Sequence, residues 1–290
     1  MKVPQELQAL IDDGIIDAVL RALKSGKEAS VYTVRSGDQV LCAKVYKDMA
    51  RRSFQARSRY QEGRKVRGSR QARAVGRASK FGRRQQEDDW KNTEADALYQ
   101  LAAAGVRVPE PRGFFQGVLL MALVTDDADA QVPAPRLVDV DLTAEQATAA
   151  HDSLLRDVVR MLCLGLIHGD LSEYNVLMAA DGPVIIDFPQ VVSASGNNAA
   201  REMLLRDVHN LRDSLGQFAP ALLETHYGEE MWALFEDGAL RPDTPLTGRF
   251  EFDEEEADVE GVQFAIDEAR REQEIRELGR REAEGREDRD

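Results

Sequence analysis

Hydrophobic and polar residues follow two different periods along the chain, and the changes of period predict the order of its elements. Apolar residues at roughly helical spacing over residues 5–24 predict an opening helix, interrupted near Gly14. Two β-rich segments come next, separated by a Ser-Gly-Asp turn at residues 36–38, and this pattern predicts a hairpin. Residues 87–104 return to a helical pattern that ends at Gly105, a residue suited to a helix C-cap.

The second half of the chain predicts helices around one small hairpin. The run GVLLMALV predicts a single buried strand, and residues 143–166 predict a long amphipathic helix on which Thr143 and Gln146 form a capping box. The segment NVLMAADGPVIID predicts a hairpin with an Asp-Gly turn at 181–182, and helices dominate after residue 198. This order of elements predicts an α+β, two-lobed, protein-kinase-like fold.

Charge is distributed unevenly, which the net charge of −14 conceals. Residues 51–84 contain eleven arginines and two lysines against one acidic residue, Glu62. Residues 251–290 contain seventeen acidic residues against seven arginines. Either segment alone suggests a binding partner or an intramolecular contact. For the basic segment 51–84, the two interpretations are a solvated loop folded against the acidic tail and a segment that binds RNA.

Composition limits the classes of protein to consider. The 290 residues, 43% hydrophobic and 31% charged, are typical of a globular protein with one large or two small domains. No apolar run approaches the ~18 to 20 residues of a membrane span, and the N-terminus lacks the apolar core of a signal peptide. We therefore expect a cytoplasmic protein without a membrane partner. Cys42 and Cys163 are too few for a disulfide framework, which favours two reduced core cysteines.

A lysine inside an apolar run is the first sign of chemistry. Lys44 lies in the middle of the predicted strand LCAKVY, where a buried ammonium needs a carboxylate and phosphate groups as partners. Glu94 on the 87–104 helix is the best partner, as in the lysine–glutamate pair with which kinases hold the α- and β-phosphates of ATP. The alternative is that Lys44 lies on an edge strand and extends to water.

Three polar residues between apolar runs have the spacing of a kinase. The segment LIHGDLSEYN places Asp170 and Asn175 five residues apart, as in the catalytic loop H-R-D-x-x-x-x-N. There the aspartate accepts the proton of the substrate hydroxyl and the asparagine binds magnesium. Asp187 follows in IIDFPQ, at the position of the D-F-G aspartate, and is a second expected magnesium ligand. Gly169 replaces the usual arginine, and His168 is expected to pack and form hydrogen bonds.

The phosphate loop is expected between the opening helix and the first β-rich segment, at residues 25–30. Gly26 is its one glycine, so the loop meets neither the G-x-G-x-x-G nor the Walker A pattern. Gly26 allows a close approach of the backbone to a phosphate, and Ser30 offers a hydroxyl group near it.

The segments GKEASVY, LIHGDLSEYN and IIDFPQ together resemble the RIO family of atypical protein kinases, over residues from about 15 to 225. The resemblance implies a reduced kinase fold that lacks the activation segment and the peptide-binding helices. It also implies ATP with Mg²⁺, or Mn²⁺ in its place, autophosphorylation on serine, and a metal-loop aspartate that can itself accept the phosphoryl group. The pair Phe188-Pro189 departs from the small residues common in the family at these positions.

The resemblance assigns roles by position. Lys44, Glu94, Asp170, Asn175 and Asp187 take the roles described above, Ser30 contacts phosphate, and Met121 to Leu123 form the hinge that binds adenine. Residues 1–124 are then the N-lobe, with the opening helix, the sheet, the basic insert 51–84 and a helix equivalent to kinase helix αC. Residues 125–250 are a helical C-lobe with the catalytic and metal loops, and residues 251–290 are an acidic tail.

Two other functions remain open. Small-molecule kinases for aminoglycosides or choline share the H-G-D triplet, although they commonly continue as H-G-D-L-H, whereas Ser172 follows Leu171 here. The second alternative is an ATP-gated switch that binds RNA or a ribosomal particle, which the family's association with ribosome maturation implies. The sequence does not define the protein substrate.

Overall fold

The structure, a computed structural model, describes residues 3–26, 29–47, 94–126 and 132–252. Contacts along the chain define one compact unit over Met1–Gly248 and a second over Arg249–Asp290. The basic insert 51–84, residues 87–93 of the predicted helix and residues 253–290 of the acidic tail lie outside the described residues. The predictions for these segments stay predictions.

The first unit begins with an antiparallel sheet of five strands and two helices. The strands are β1 (Ala18–Ser25), β2 (Ala29–Ser36), β3 (Gln39–Tyr46), β4 (Pro111–Phe115) and β5 (Val118–Ala122), in the spatial order β1-β2-β3-β5-β4. Helix α1 (Gln5–Asp12) precedes the sheet, and helix α2 covers residues 94–103. The predicted hairpin is present, since Ser36 pairs with Gln39 across the turn between β2 and β3.

The prediction of a helix over residues 5–24 is wrong for its second half. Helix α1 ends at Asp12, Gly14 adopts φ 69°, and the chain then enters strand β1. Strand β1 lies at the edge of the sheet and contains two register shifts, between Val19 and Arg21 and between Ala22 and Lys24. These shifts disturb the two-residue alternation of a regular strand, so the apolar positions of β1 resemble helical spacing.

The prediction of a single apolar strand before the helical half is also incomplete. Strand β5 pairs with β4, and Gln116 and Gly117 join them with φ values of 49° and 82°. Two consecutive positive φ values are typical of a type I′ hairpin turn. The sequence hides β4 because Pro111 and Gly113 flank a register shift, and both residue types are rare within strands.

The rest of the described chain is mainly helical, as predicted. Its helices are α3 (Ala144–Cys163), α4 (Ala200–Gly216) and α5 (Tyr227–Glu236). The capping box of α3 is present, since the Thr143 hydroxyl accepts from Gln146 N at 3.2 Å and Gln146 Oε1 accepts from Thr143 N at 2.9 Å. None of the described helices is both long and apolar enough to cross a membrane.

Short strands between α3 and α4 frame the segment that carries the catalytic and metal loops. They are β6 (Leu166–Ile167), β7 (Val176–Ala179), β8 (Gly182–Ile185) and β9 (Val192–Ser193), paired as β6 with β9 and β7 with β8. The β6–β9 pair therefore fixes both ends of residues 168–191, and the β7–β8 hairpin folds the middle of that segment back on itself.

The two faces of the N-terminal sheet bury different groups. On β3, Leu41, Ala43 and Val45 join the core formed with α1. Successive side chains of a strand point to opposite faces, so Lys44 and Tyr46 lie on the other face, toward the helical part of the chain. The α+β, two-lobed arrangement predicted from the sequence is thus confirmed, and the alternation of β3 places a lysine where the two lobes meet.

Candidate active site

Lys44 is the centre of a buried cluster of charges. Its side chain is only 11% exposed, and Nζ lies 2.5 Å from Glu94 Oε1 and 2.6 Å from Asp187 Oδ1. Burial lowers the pKa of the Lys44 ammonium, but the two carboxylates outweigh this effect and raise it, so the ammonium stays protonated. Strand β3 lies between β2 and β5 and not at an edge of the sheet, which argues against a lysine that extends to water.

Glu94, in the first turn of the described part of α2, uses both of its carboxylate oxygens. Oε1 accepts from Lys44 and from Phe188 N at 3.3 Å, and Oε2 accepts from the Tyr46 hydroxyl at 2.7 Å. The side chain of Glu94 is 3% exposed, so each of these bonds replaces a bond to water. Burial, followed by the negative charge of Glu94, raises the pKa of the Tyr46 hydroxyl, which keeps it a donor.

Asp187 occupies an uncommon backbone conformation beside the lysine. It has φ 72°, a value that non-glycine residues rarely adopt and that local contacts must maintain. Burial raises the pKa of its carboxyl, but the charge and hydrogen bond of Lys44 outweigh this and lower it overall. The side chain remains 43% exposed, in contrast to Glu94, so Asp187 is the more accessible of the two carboxylate partners.

Asp207 on α4 forms hydrogen bonds with the backbone of the catalytic loop. Its two carboxylate oxygens accept from Gly169 N at 2.7 Å and from Leu171 N at 2.9 Å, and the neighbouring Arg206 donates to Gly169 O. Asp207 is 1% exposed, and burial raises its pKa to about 7 even though both N–H donors favour the carboxylate. These bonds fix the backbone on both sides of Asp170.

His168 is a structural member of the same loop. Asp170 N donates to its Nδ1 at 3.3 Å, and its Nε2 lies 3.1 Å from Ile186 O. A backbone N–H can only donate and a carbonyl can only accept, so this ring is neutral with its proton on Nε2. Burial lowers the pKa of His168 to about 4, which agrees with the neutral form. His168 thus packs against Phe188 and forms hydrogen bonds, as expected from the sequence, and these bonds join the catalytic loop to the metal loop.

Asp170 is exposed to solvent, between two residues whose backbone N–H groups bind Asp207. The Asn175 amide donates to Asp170 O at 2.8 Å, and the Gln190 amide donates to Asp170 Oδ2 at 3.3 Å. One amide therefore fixes the backbone of Asp170 and another fixes its carboxylate. Because Asp170 is exposed, its carboxylate can meet a hydroxyl group that arrives from outside the protein.

A cavity of about 500 Å³ lies between the sheet and the helical part of the chain. Seven of the nine site residues predicted from the sequence line it: Gly26, Lys44, Glu94, Met121, Leu123, Asn175 and Asp187. Its remaining wall is largely apolar and includes Leu98, Leu119 and Leu177. Ser30 and Asp170 are not among the lining residues.

The loop predicted to bind phosphate is held by Lys47. Gly26 N donates to Ala29 O at 2.9 Å, and Lys47 Nζ donates to Gly26 O at 2.6 Å and to Ser25 Oγ at 3.0 Å. Ser30 is 8% exposed, and its hydroxyl lies 3.2 Å from Ser25 Oγ. The Ser30 hydroxyl thus contacts Ser25, and among the described residues of this loop Gly26 and Ala29 line the cavity.

Asn175 and Asp187 fit a magnesium ion. Both line the cavity, and both carry oxygen atoms of the kind that Mg²⁺ prefers. The amide nitrogen of Asn175 bonds to Asp170 O, which leaves its amide oxygen as a ligand. Lys44 contacts Oδ1 of Asp187, and the exposed part of that carboxylate faces the same cavity.

Four residues of the site were not predicted from the sequence. Tyr46 could have been found, because it lies two positions after Lys44 on the same strand and therefore faces the same side. Asp207 is distant in sequence, and nothing local indicates its bonds to the catalytic loop. Lys24 and Arg136, which also line the cavity, were hidden by the wrong helix over 5–24 and by a segment of irregular backbone.

Lys44 on the sheet pairs with Glu94 on a helix, and a separate loop carries Asp170 and Asn175. This combination is typical of the class of protein-kinase-like proteins. Residues 30–227 match the RIO domain model. The RIO-type serine/threonine-protein kinase Rio1 of Haloferax volcanii is 33% identical over 207 residues, which are 70% of this chain and 64% of that protein. The human serine/threonine-protein kinase RIO1 is 28% identical over 216 residues, which are 74% of this chain and 36% of that protein.

The chain belongs to the RIO family, because the RIO domain match covers more than half of its length. The Rio1 kinase of Methanocaldococcus jannaschii is 33% identical over 192 residues, 65% of this chain and 60% of that protein. The chain thus spans between 36% and 64% of the length of these three relatives. A crystal structure of a kinase domain aligns with a TM-score of 0.43 and 16% identity, over 74% of this chain and 68% of its own.

Proposed function

We propose that this chain is an ATP- and magnesium-dependent serine/threonine protein kinase of the RIO type, with autophosphorylation and ATP hydrolysis as its activities. One observation carries the proposal: the buried cluster of Lys44, Glu94 and Asp187 lies at the wall of the cavity of about 500 Å³. A buried ammonium between two carboxylates is suited to hold phosphate groups, and the described relatives are named as serine/threonine kinases.

In this proposal the cavity binds ATP from its apolar wall to its charged end. Met121 and Leu123 contact the adenine, Gly26 and Ser30 belong to the phosphate loop, and Lys44 binds the α- and β-phosphates. Glu94 holds the Lys44 ammonium in place. Asn175 and Asp187 hold Mg²⁺, for which Mn²⁺ can substitute, and the ion offsets negative charge on the phosphates.

Asp170 acts as the base that receives the proton of the acceptor hydroxyl. Its carboxylate is exposed and is positioned by Gln190, while Asp207 and His168 fix the backbone around it. The hydroxyl oxygen attacks the γ-phosphorus, the bond to the β,γ-bridging oxygen breaks, and ADP leaves. The products are a phosphoserine or phosphothreonine and ADP, or phosphate and ADP when water is the acceptor.

Asp187 is a second proposed acceptor. One carboxylate oxygen attacks the γ-phosphorus, ADP leaves, and an acyl phosphate remains until water hydrolyses it to phosphate and the free carboxylate. The lowered pKa of Asp187 supports this role, because the attacking form is the ionised carboxylate.

Incubation with γ-labelled ATP tests the function. The wild-type protein should release labelled phosphate and acquire label, and Asp170→Asn should reduce both at least about 100-fold while ATP affinity changes less than about twofold. Lys44→Met should weaken ATP binding. Glu110→Gln is the control, because Glu110 belongs to an exposed ion pair with Arg112 outside the cavity. Full turnover in Asp170→Asn would refute the assigned base.

The same labelled protein distinguishes the acceptors. Acyl phosphate is cleaved by hydroxylamine, whereas phosphoserine resists it. The acyl phosphate is supported if hydroxylamine removes part of the label. This part of the label should be absent from Asp187→Asn, while the label on serine persists. Phosphate transfer to an aminoglycoside or to choline, in the absence of protein labelling, would instead favour the small-molecule kinase.

RNA or a ribosomal particle is a second proposed partner, through the basic segment 51–84. The observation in its favour is the thirteen basic residues against one acidic residue in that segment. Binding that releases counterions weakens steeply with salt, so affinity for RNA should fall by about 10³ or more between 50 and 200 mM salt. Deletion of residues 51–84 should abolish it. We also propose that the protein is located in the cytoplasm.

A further inference from the structure

The cavity contains more positive charge than the reaction described above uses. Its lining includes three cations, Lys24, Lys44 and Arg136, and three carboxylates, Glu94, Asp139 and Asp187. Lys44 already binds Glu94 and Asp187 directly. Within the described part of the chain, the side chains of Lys24 and Arg136 have no hydrogen-bond or ion-pair partner.

Lys24 and Arg136 both line the cavity, and their positive charges repel each other. Burial lowers the pKa of the Lys24 ammonium, and the charge of Arg136 is the next largest cause; Asp187 acts in the opposite direction and Lys44 lowers it further. Lys24 is therefore within electrostatic reach of the charged end of the cavity, where Asp187 lies. Two cations that line the same cavity, neither of them bonded to one of its carboxylates, favour the binding of an anion.

The two cations stand on different parts of the fold. Lys24 is on β1, directly before the phosphate loop. Arg136 is fixed to the helical part, because it forms a β-bridge with Leu177 and because Met178 N donates to Pro135 O at 2.8 Å. These contacts are to β7, the strand that directly follows Asn175. Both cations therefore line the same cavity as the expected magnesium ligands Asn175 and Asp187.

We propose that Lys24 and Arg136 form a two-sided phosphate site in the wall of the cavity, which binds the phosphate chain of a nucleoside triphosphate from both lobes. The inference rests on the proposed function and adds to it a reason for selecting triphosphates over nucleosides. Arginine suits a phosphate because its planar guanidinium donates two parallel hydrogen bonds, and lysine adds a mobile point charge. Binding of the anion also removes the repulsion between the two cations.

Calorimetric titration of MgATP and of adenosine into Lys24→Gln, Arg136→Gln and the double variant tests the site. Affinity for MgATP should fall about tenfold in Arg136→Gln and about threefold to tenfold in Lys24→Gln, whose side chain is more exposed. Affinity for adenosine should change less than twofold, because adenosine carries no phosphate. Arg21→Gln is the matched control, since Arg21 is exposed on the same strand but does not line the cavity.

Thermal unfolding separates this role from a structural one. Without ligand, the single variants should melt at or above the temperature of the wild type, because the repulsion is reduced, while the rise in melting temperature caused by MgATP should shrink. Wild-type affinity for MgATP in both single variants would overturn the phosphate site and leave the kinase proposal standing. An equal loss of adenosine binding would also overturn it. Failure of the wild type itself to bind MgATP would refute the proposed function.

Discussion

Removing the charge of Glu94 and removing its whole side chain should have different consequences. Glu94→Gln keeps a carbonyl oxygen that can accept from Lys44 and Phe188 N, and its amide can donate to the Tyr46 hydroxyl. Glu94→Ala deletes all three bonds, which are 2.5, 3.3 and 2.7 Å long in the wild type. In both variants Lys44 retains Asp187 as its remaining carboxylate partner.

The bonds give the expected size of each effect. Breaking a buried ion pair by removing one partner costs about 3–5 kcal/mol, and a buried group left without a partner costs about 1–3 kcal/mol. Effects of neighbouring groups do not add, so we expect Glu94→Ala to reduce the free energy of unfolding by about 4 kcal/mol. Glu94→Gln, which loses charge but retains hydrogen bonds, should reduce it by about 2 kcal/mol.

Urea unfolding at pH 7.5, followed by titration with MgATP, measures both consequences. Glu110→Gln is the matched control, because it makes the same change in an ion pair whose glutamate is 63% exposed, and it should cost less than about 1 kcal/mol. Glu94→Gln should also bind MgATP more weakly, since Lys44 is no longer held by a permanent carboxylate. Equal stability of the wild type and Glu94→Ala would refute the view that this cluster stabilises the fold.

Two further predictions concern buried titratable groups. Burial lowers the pKa of His151 to about 4, so the unfolded chain binds more protons between pH 6.5 and 4 and stability falls as pH decreases through that window. His151→Phe should remove about 3 kcal/mol of this pH dependence, and parallel acid-unfolding curves for the two proteins would contradict it. Asp207→Asn replaces an acceptor of Gly169 N or Leu171 N by a donor, so it should cost about 1–3 kcal/mol in urea unfolding and lower turnover; unchanged values for both would show that these bonds are dispensable.

Local sequence patterns were sufficient for most elements of the fold. The hairpin of β2 and β3, the long helix α3 and the hairpin of β7 and β8 each carry their own periodicity and turn or cap residues. Strands β1 and β4 do not, because their register shifts break the alternation on which a strand is identified. Their place in the sheet depends on the neighbouring strands β2 and β5, which local sequence does not specify.

The residues of the site likewise divide into those that local sequence positions and those that depend on the packing of distant elements. The pairing of Lys44 with Glu94 could be predicted because a lysine in the middle of an apolar strand requires a carboxylate, and a helix with a glutamate follows. The contact between Asn175 and Asp170 could be predicted because five residues of one loop fix their spacing, while their chemical roles stay predictions. Asp207 could not, because its bonds to the loop depend on how α4 packs beneath it. Lys24 was missed as a direct result of treating β1 as helix.

The different exposure of the two partners of Lys44 suggests how the proposed reaction avoids leaving a buried charge alone. Glu94 is 3% exposed and has three donors, so it is the permanent partner, whereas Asp187 is 43% exposed and is the one that can exchange. In the proposed reaction, Lys44 would move its second bond from Asp187 to a phosphate, which would leave Asp187 able to hold a metal ion. Lys44 stays paired with Glu94 throughout this exchange, and Asp187 would exchange the Lys44 ammonium for the metal ion. A lysine with a single carboxylate would have to break its one ion pair to bind the same ligand, and that carboxylate would be left buried without a cation.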